Sequence, residues 1–173
     1  MTPDLRVRRA GADDVDEVAT LLHAFNVEFE TPTPSVAEFA RRLSTQVPRE
    51  DVRVWLAEKT GAGTSETLGF SLVTLRPSPY YDVGVATLEE LYVRPHRRGA
   101  GAGTALLGAL LAWAEEEQVG EIQINVDEVD VDARRFYERH GFSHLEPTGD
   151  GETRMFLYLR EMGGGSAPVR QDR

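Results

Sequence analysis

Apolar residues fall along the chain in two rhythms. "LRVRRA" (Leu5 to Ala10) alternates as a strand does, and Val15, Val18, Leu21, Leu22, Phe25 and Phe29 then follow the three-and-four spacing of a helix that starts at Asp13 or Asp14. After the break "TPTP", Ser35 and Glu38 form an S-x-x-E box that opens a second helix reaching Gln46. "VRVWLAE" (Val52 to Glu58) and "LGFSLVTL" (Leu68 to Leu75) read as an antiparallel hairpin joined by the polar loop 59–67, and "RPSPYYDVG" reads as a loop. "ATLEELYV" (Ala86 to Val93) is a fourth strand, in which the spacing of Leu88, Leu91 and Val93 breaks strict alternation and predicts a β-bulge. The stretch from Gly101 to Gln118 predicts a helix whose Leu106, Leu107, Leu110, Leu111 and Trp113 must be largely covered. "EIQINV" (Glu121 to Val126) is a fifth strand, Val131 to His140 a helix ended by Gly141, and "ETRMFLYLR" a last strand. The order is βαα-ββ-βαβαβ, an α/β domain over 1–162 with a glycine-rich flexible extension over 163–173.

A chain of 173 residues with 40% hydrophobic content suits one domain with a proper core. The net charge of −10 argues against nucleic acid as a partner, because binding a phosphate backbone relies on a basic surface. With no cysteine there is no disulfide, thiolate nucleophile or cysteine metal site. No stretch reaches the roughly 18 apolar residues of a membrane span, and "MTPDLRVRRAGADD" has no apolar signal region, so the expectation is a soluble cytoplasmic protein with no membrane partner.

The glycines of "LEELYVRPHRRGAGAGTALL" (88–107) stand between a strand and a helix. No Lys-Ser or Lys-Thr pair follows them, which excludes a Walker A loop, and Leu106 stands where a dinucleotide-binding turn needs its last glycine. What remains is R-x-x-G-x-G, met by Arg98, Gly101 and Gly103. Successive N–H groups of Arg98, Gly99, Ala100, Gly101, Ala102, Gly103 and Thr104, at the positive end of a helix dipole, can donate to a diphosphate, with Arg97 and Arg98 adding charge.

This loop resembles the pyrophosphate loop of the GNAT superfamily of acetyl-CoA-dependent N-acetyltransferases. "ARRFYERHGF" (Ala133 to Phe142) is similar to that family's downstream A-x-x-F-Y-x-x-x-G-F signature, and the two motifs span about residues 86 to 142. The resemblance implies a GNAT fold, a mixed central sheet of six or seven strands with helices on both faces. It implies acetyl-CoA as co-substrate, no metal, and direct transfer to a primary amine, that of a small cationic molecule or of a peptide; the oligomeric state stays open, a homodimer included. By the same resemblance Tyr137 is the acid that protonates the leaving thiolate, and Leu91, Tyr92 and Val93 pair with pantetheine and hold the thioester oxygen. Glu89 or Glu90 is the base, with Glu89 placed first. Asp130 stands where the family often has a cofactor-contacting asparagine, and an aspartate accepts but cannot donate. The acceptor pocket is expected around "FNVEFETPTP" and "SPYYDVG", with Asn26, Glu28, Glu30, Tyr80, Tyr81 and Asp82 favouring a cationic amine. His140 and His144 are four apart, but Gly141 ends the helix between them, which leaves them structural. The alternative function is a non-catalytic acyl-CoA-binding or sensing domain, since a fold can outlive its chemistry.

Overall fold

The computed structural model describes residues 4–61, 64–158 and 160, so the expected extension over 163–173 lies outside the described residues. Within the span expected to be one domain, the chain forms two compact units that meet in sequence between Gln123 and Ile124.

The first unit holds β1 (Asp4–Arg9), α1 (Val15–Glu28), α2 (Val36–Gln46), β2 (Val52–Gly61), β3 (Thr64–Ser78), β4 (Tyr81–Val93) and α3 (Ala102–Glu116). It also holds the start of β5 (Glu121–Ile124). β1 to β5 make a sheet in sequence order, with β1, β2, β3 and β4 antiparallel neighbours. The second unit holds α4 (Val131–Arg139) and a two-stranded antiparallel sheet of β6 (Leu145–Thr148) and β7 (Gly151–Arg154). The expected six or seven strands are thus present as a sheet of five and a separate pair.

Two helical layers cover the larger sheet because its strands are apolar on both faces. Val54 and Leu56 of β2, Phe70 and Leu72 of β3 and Tyr92 of β4 pack with Val18, Leu21 and Leu22 of α1 and Leu43 of α2. Trp55 alternates with Val54 and Leu56, so it points to the other face, where its ring lies 5.8 Å from Trp113 of α3. Leu106, Leu107 and Leu110 give α3 a fully buried stripe. Complete burial of a side chain such as Phe70 contributes about 2–3 kcal/mol. Ser35 caps α2 as its sequence suggests, its hydroxyl accepting the Glu38 N–H at 3.2 Å, while the Glu38 carboxylate takes Arg42 one turn on.

Both hairpins run further than the sequence reading places them. β2 and β3 stay paired out to Gly61 opposite Thr64, and β3 and β4 out to Ser78 opposite Tyr81, so most of the loops expected at 59–67 and 76–84 is strand. Both tips are mostly exposed; the first is polar throughout and the second carries Tyr80, Tyr81 and Val83 without a strand's alternation. Strand pairing extends both, and in the second Tyr81 also reaches Glu121 and Gly120. β6 has no apolar alternation either and goes unread in the sequence. β7 ends at Arg154, ahead of the apolar run expected to belong to it.

Candidate active site

The bulge expected in β4 is present. Leu88 pairs with Val73 and Glu90 with Leu72, which leaves Glu89 as the extra residue. Two neighbouring carboxylates are thereby separated in environment. Glu89 is exposed and accepts the Thr74 hydroxyl. Glu90 is half-buried across from Leu72, on the sheet face that meets α1 and α2. Burial, and secondarily repulsion from Glu89, push its carboxyl up to about 7.

Beyond the bulge, Leu91, Tyr92 and Val93 pair with Ser71, Phe70 and Gly69 on one edge. On the opposite edge β5 begins level with Gly84, whose carbonyl accepts the Gly120 N–H at 3.0 Å, and it is four residues long. β5 therefore ends before it reaches Leu91, and β4 runs on past it toward the glycine loop.

In that loop Gly99 and Gly101 adopt φ of +78° and +86°, the left-handed region that favours glycine. A Cβ at Gly99 would meet no atom within 4 Å, so the loop looks onto open space. Gly101 is the N-cap of α3, and its carbonyl takes the Ala105 N–H at 2.9 Å. The N–H groups of Ala102, Gly103 and Thr104 precede that bond and have no acceptor within the helix. With the N–H groups of Gly99 to Gly101 they make a run of main-chain donors at the positive end of the α3 dipole. The neighbouring arginines are neutralised within the protein. Arg94 pairs with Glu17 at 3.2 Å, Arg97 with Glu66 at 2.6 Å and Arg98 with Glu28 at 2.8 Å. The positive potential at this loop thus comes first from main-chain dipoles.

A bulged strand thus runs into a bare loop that caps a helix, and the sequence model of the acetyltransferase (GNAT) family matches residues 17–142. The chain belongs to the GNAT acetyltransferase family. A crystal structure of a presumptive acetyltransferase from Arthrobacter sp. FB24 superposes with a TM-score of 0.80 at 44% identity, covering 91% of this chain and 96% of that one. An aminoglycoside N(6')-acetyltransferase type 1 of Stenotrophomonas maltophilia is 34% identical over 110 residues, which is 57% of this chain and 71% of the relative. Streptothricin acetyltransferase A of Bacillus subtilis (strain 168) is 32% identical over 59 residues, 34% of each. The chain is an acyltransferase of a family that uses acetyl-CoA as co-substrate, with the GNAT fold expected from its sequence.

In the second unit of this GNAT chain, Tyr137 sits on α4, half-buried, with edge-on contacts to Phe136 at 5.2 Å and Phe142 at 5.9 Å. The Asp130 carboxylate is used as the N-cap of α4, accepting the Ala133 N–H at 3.0 Å. His140 Nδ1 lies 2.7 Å from the Phe136 carbonyl and His144 Nδ1 lies 3.7 Å from Glu138. No described helix is long and apolar enough to cross a membrane.

The expected acceptor residues do not gather in one place. Asn26 turns back on its own helix, donating to the Leu22 carbonyl at 2.8 Å, and Glu28 is taken by Arg98. Tyr81 is in β4, not in a loop, and its hydroxyl donates to Glu121 at 3.1 Å. Its ring also fills the space over Gly120, where a Cβ would come within 2.1 Å of it. At about 3.3 Å per residue, Tyr81 lies roughly 26 Å along β4 from Glu89, so the hairpin tip with Tyr80 and Asp82 is remote from the bulge. Sequence reasoning missed the Thr74–Glu89 and Glu28–Arg98 contacts, which join distant parts of the chain and leave no local signal.

Proposed function

We propose that this protein transfers acetyl from acetyl-CoA directly to the primary amine of a small cationic acceptor, with no covalent enzyme intermediate. One observation carries the reading: β4 presents a half-buried carboxyl with a pKa of about 7 and then runs into the bare glycine loop at the N-terminus of α3. The residues fit the donor. Main-chain N–H groups of Gly99 to Thr104 take the diphosphate, and the main-chain groups of Leu91 and Val93, which face away from β3, take the pantetheine arm and the thioester oxygen, whereas the expected part of Tyr92 falls away because its N–H and carbonyl face Phe70 of β3.

The chemistry then needs two proton movements. The Glu90 carboxylate removes a proton from the ammonium acceptor, the amine nitrogen attacks the thioester carbon, and the C–S bond breaks as the N–C bond is retained. Tyr137, the tyrosine of the family's A-x-x-F-Y signature, donates its phenolic proton to the departing thiolate. A phenol near 10 is well matched to a thiol of about 8.5. A cationic acceptor is supported by the net charge of −10 and by relatives named for aminoglycoside and streptothricin acetylation.

Acetyl-CoA at 100 times its dissociation constant should stabilise the native state by about 2.7 kcal/mol in a thermal melt. Release of free CoA is then followed against polyamines, aminoglycosides, amino acids and peptide N-termini. A flat melt with millimolar acetyl-CoA overturns the reading. A shift with no thiol release from any amine makes the protein the non-catalytic acyl-CoA-binding domain instead.

A further inference from the structure

Glu28 ends α1, the helix whose C-terminal end the family resemblance puts on the acceptor side, yet its carboxylate is directed at the cofactor loop. It receives both terminal nitrogens of Arg98, at 2.8 and 2.9 Å, and lies near the Tyr92 hydroxyl. Arg98 is held on its remaining side as well. Its Nε donates to the Val93 carbonyl at 3.0 Å, and its guanidinium lies 5.8 Å over the Tyr92 ring. That ring is buried and packs 5.4 Å from Phe25, one turn back from Glu28 on α1. Helix end, tyrosine and guanidinium therefore form one closed set. Arg98 is extended and stands immediately before Gly99, where the left-handed turn of the loop begins.

We infer that Glu28 is a positioning residue for the cofactor loop: through Arg98 and Tyr92 it holds Gly99 to Thr104 where their main-chain N–H groups receive the diphosphate, with Arg98 acting as a strut and not as a phosphate ligand. This rests on the acetyl-CoA reading above. It gives α1 and the loop a common anchor.

The sign of one substitution separates the strut from a ligand. A phosphate-binding Arg98 would have Glu28 as its competitor, so removing that carboxylate would tighten binding; a strut loses its anchor, so binding weakens. Acetyl-CoA and acetylpantetheine, which carries the thioester arm without the diphosphate, are titrated into wild type, Glu28→Gln, Arg98→Met and the double variant. Each single change should weaken acetyl-CoA about three- to tenfold, the range of a bidentate, partly exposed ion pair, and the double should be no weaker than the worse single. Acetylpantetheine affinity should not move, Glu28→Asp should recover part of the loss, and KM for acetyl-CoA should rise with kcat unchanged. Wild-type or tighter acetyl-CoA binding by Glu28→Gln overturns the inference. So does equal weakening of both ligands, which marks general destabilisation. Wild type that binds neither ligand overturns the acetyl-CoA reading itself.

Discussion

Glu89 and Glu90 are consecutive, but the bulge gives the first a hydroxyl partner, Thr74, and turns the second inward across from Leu72. Burial, and secondarily repulsion from Glu89, raise the inward carboxyl to about 7, a value matched to base catalysis near neutrality. The acid limb of kcat/KM is therefore expected near that value. Glu90→Gln should lower turnover by about 10² to 10⁴, with the defect shrinking at high pH where neutral amine is supplied directly. Glu89→Gln should keep a base but remove its repulsion, which moves the acid limb to lower pH. A Glu89→Gln enzyme that carries the whole base defect reverses the assignment.

The same carboxyl makes stability depend on pH. Its folded pKa of about 7 lies above the ordinary 4.5, so its contribution is fully present below about 4.5 and is lost as pH rises through about 7. Glu90→Gln keeps the shape and removes the charge. Urea denaturation should show the variant more stable than wild type by about 1–3 kcal/mol at pH 8, the figure being discounted for partial exposure, and indistinguishable from it at pH 4.

Two glycines of α3 and its cap should respond in opposite directions. Gly101 holds φ of +86° within the run of main-chain donors, so Gly101→Val costs about 1–3 kcal/mol in backbone strain and should abolish the acetyl-CoA thermal shift. Gly108 lies inside α3, where an added methyl group would meet nothing within 4 Å. Gly108→Ala should raise stability by about 0.5–1 kcal/mol and leave the shift intact. Melts of both variants with and without acetyl-CoA decide the matter.

What the sequence made legible is what repeats locally. The helix stripes, the capped start of α2, the broken alternation at Leu88 to Val93 and the bare loop at Gly99 to Gly103 all have periods or signatures within a few residues. The hairpin tips do not, because exposed residues such as Thr60 and Ser65 carry no apolar period and are set in register by pairing across the hairpin. Choosing between Glu89 and Glu90 needed the register of β3 against β4: either carboxylate could be the unpaired one until Val73 and Leu72 are matched to their partners. Tyr80, Tyr81 and Asp82 are expected at the acceptor because their stretch reads as the loop between the third and fourth strands, which the family resemblance puts at the acceptor pocket. As strand and turn, it carries them to the far end of the sheet. The Glu28–Arg98 pair joins residues 70 apart, and no periodicity reports a contact of that range.

Tyr137 tests the other proton. Its ring contacts with Phe136 and Phe142 do not involve the hydroxyl, so Tyr137→Phe keeps that packing and removes one O–H. Turnover should fall by about 10² to 10⁴ while acetyl-CoA affinity by calorimetry stays near wild type. The pH dependence separates this defect from that of Glu90→Gln. A missing acid is needed after the amine has attacked, so raising pH cannot replace it and the defect persists across the acid limb. Leaving-group chemistry gives a second handle. The thiolate of CoA departs with a pKa of about 8.5, and an acyl donor whose thiol is more acidic needs less help, so such a donor should recover part of the lost rate in Tyr137→Phe and gain little in wild type. A Tyr137→Phe enzyme as active as wild type at every pH, with no dependence on the leaving thiol, makes the phenol structural and leaves water to protonate the thiolate.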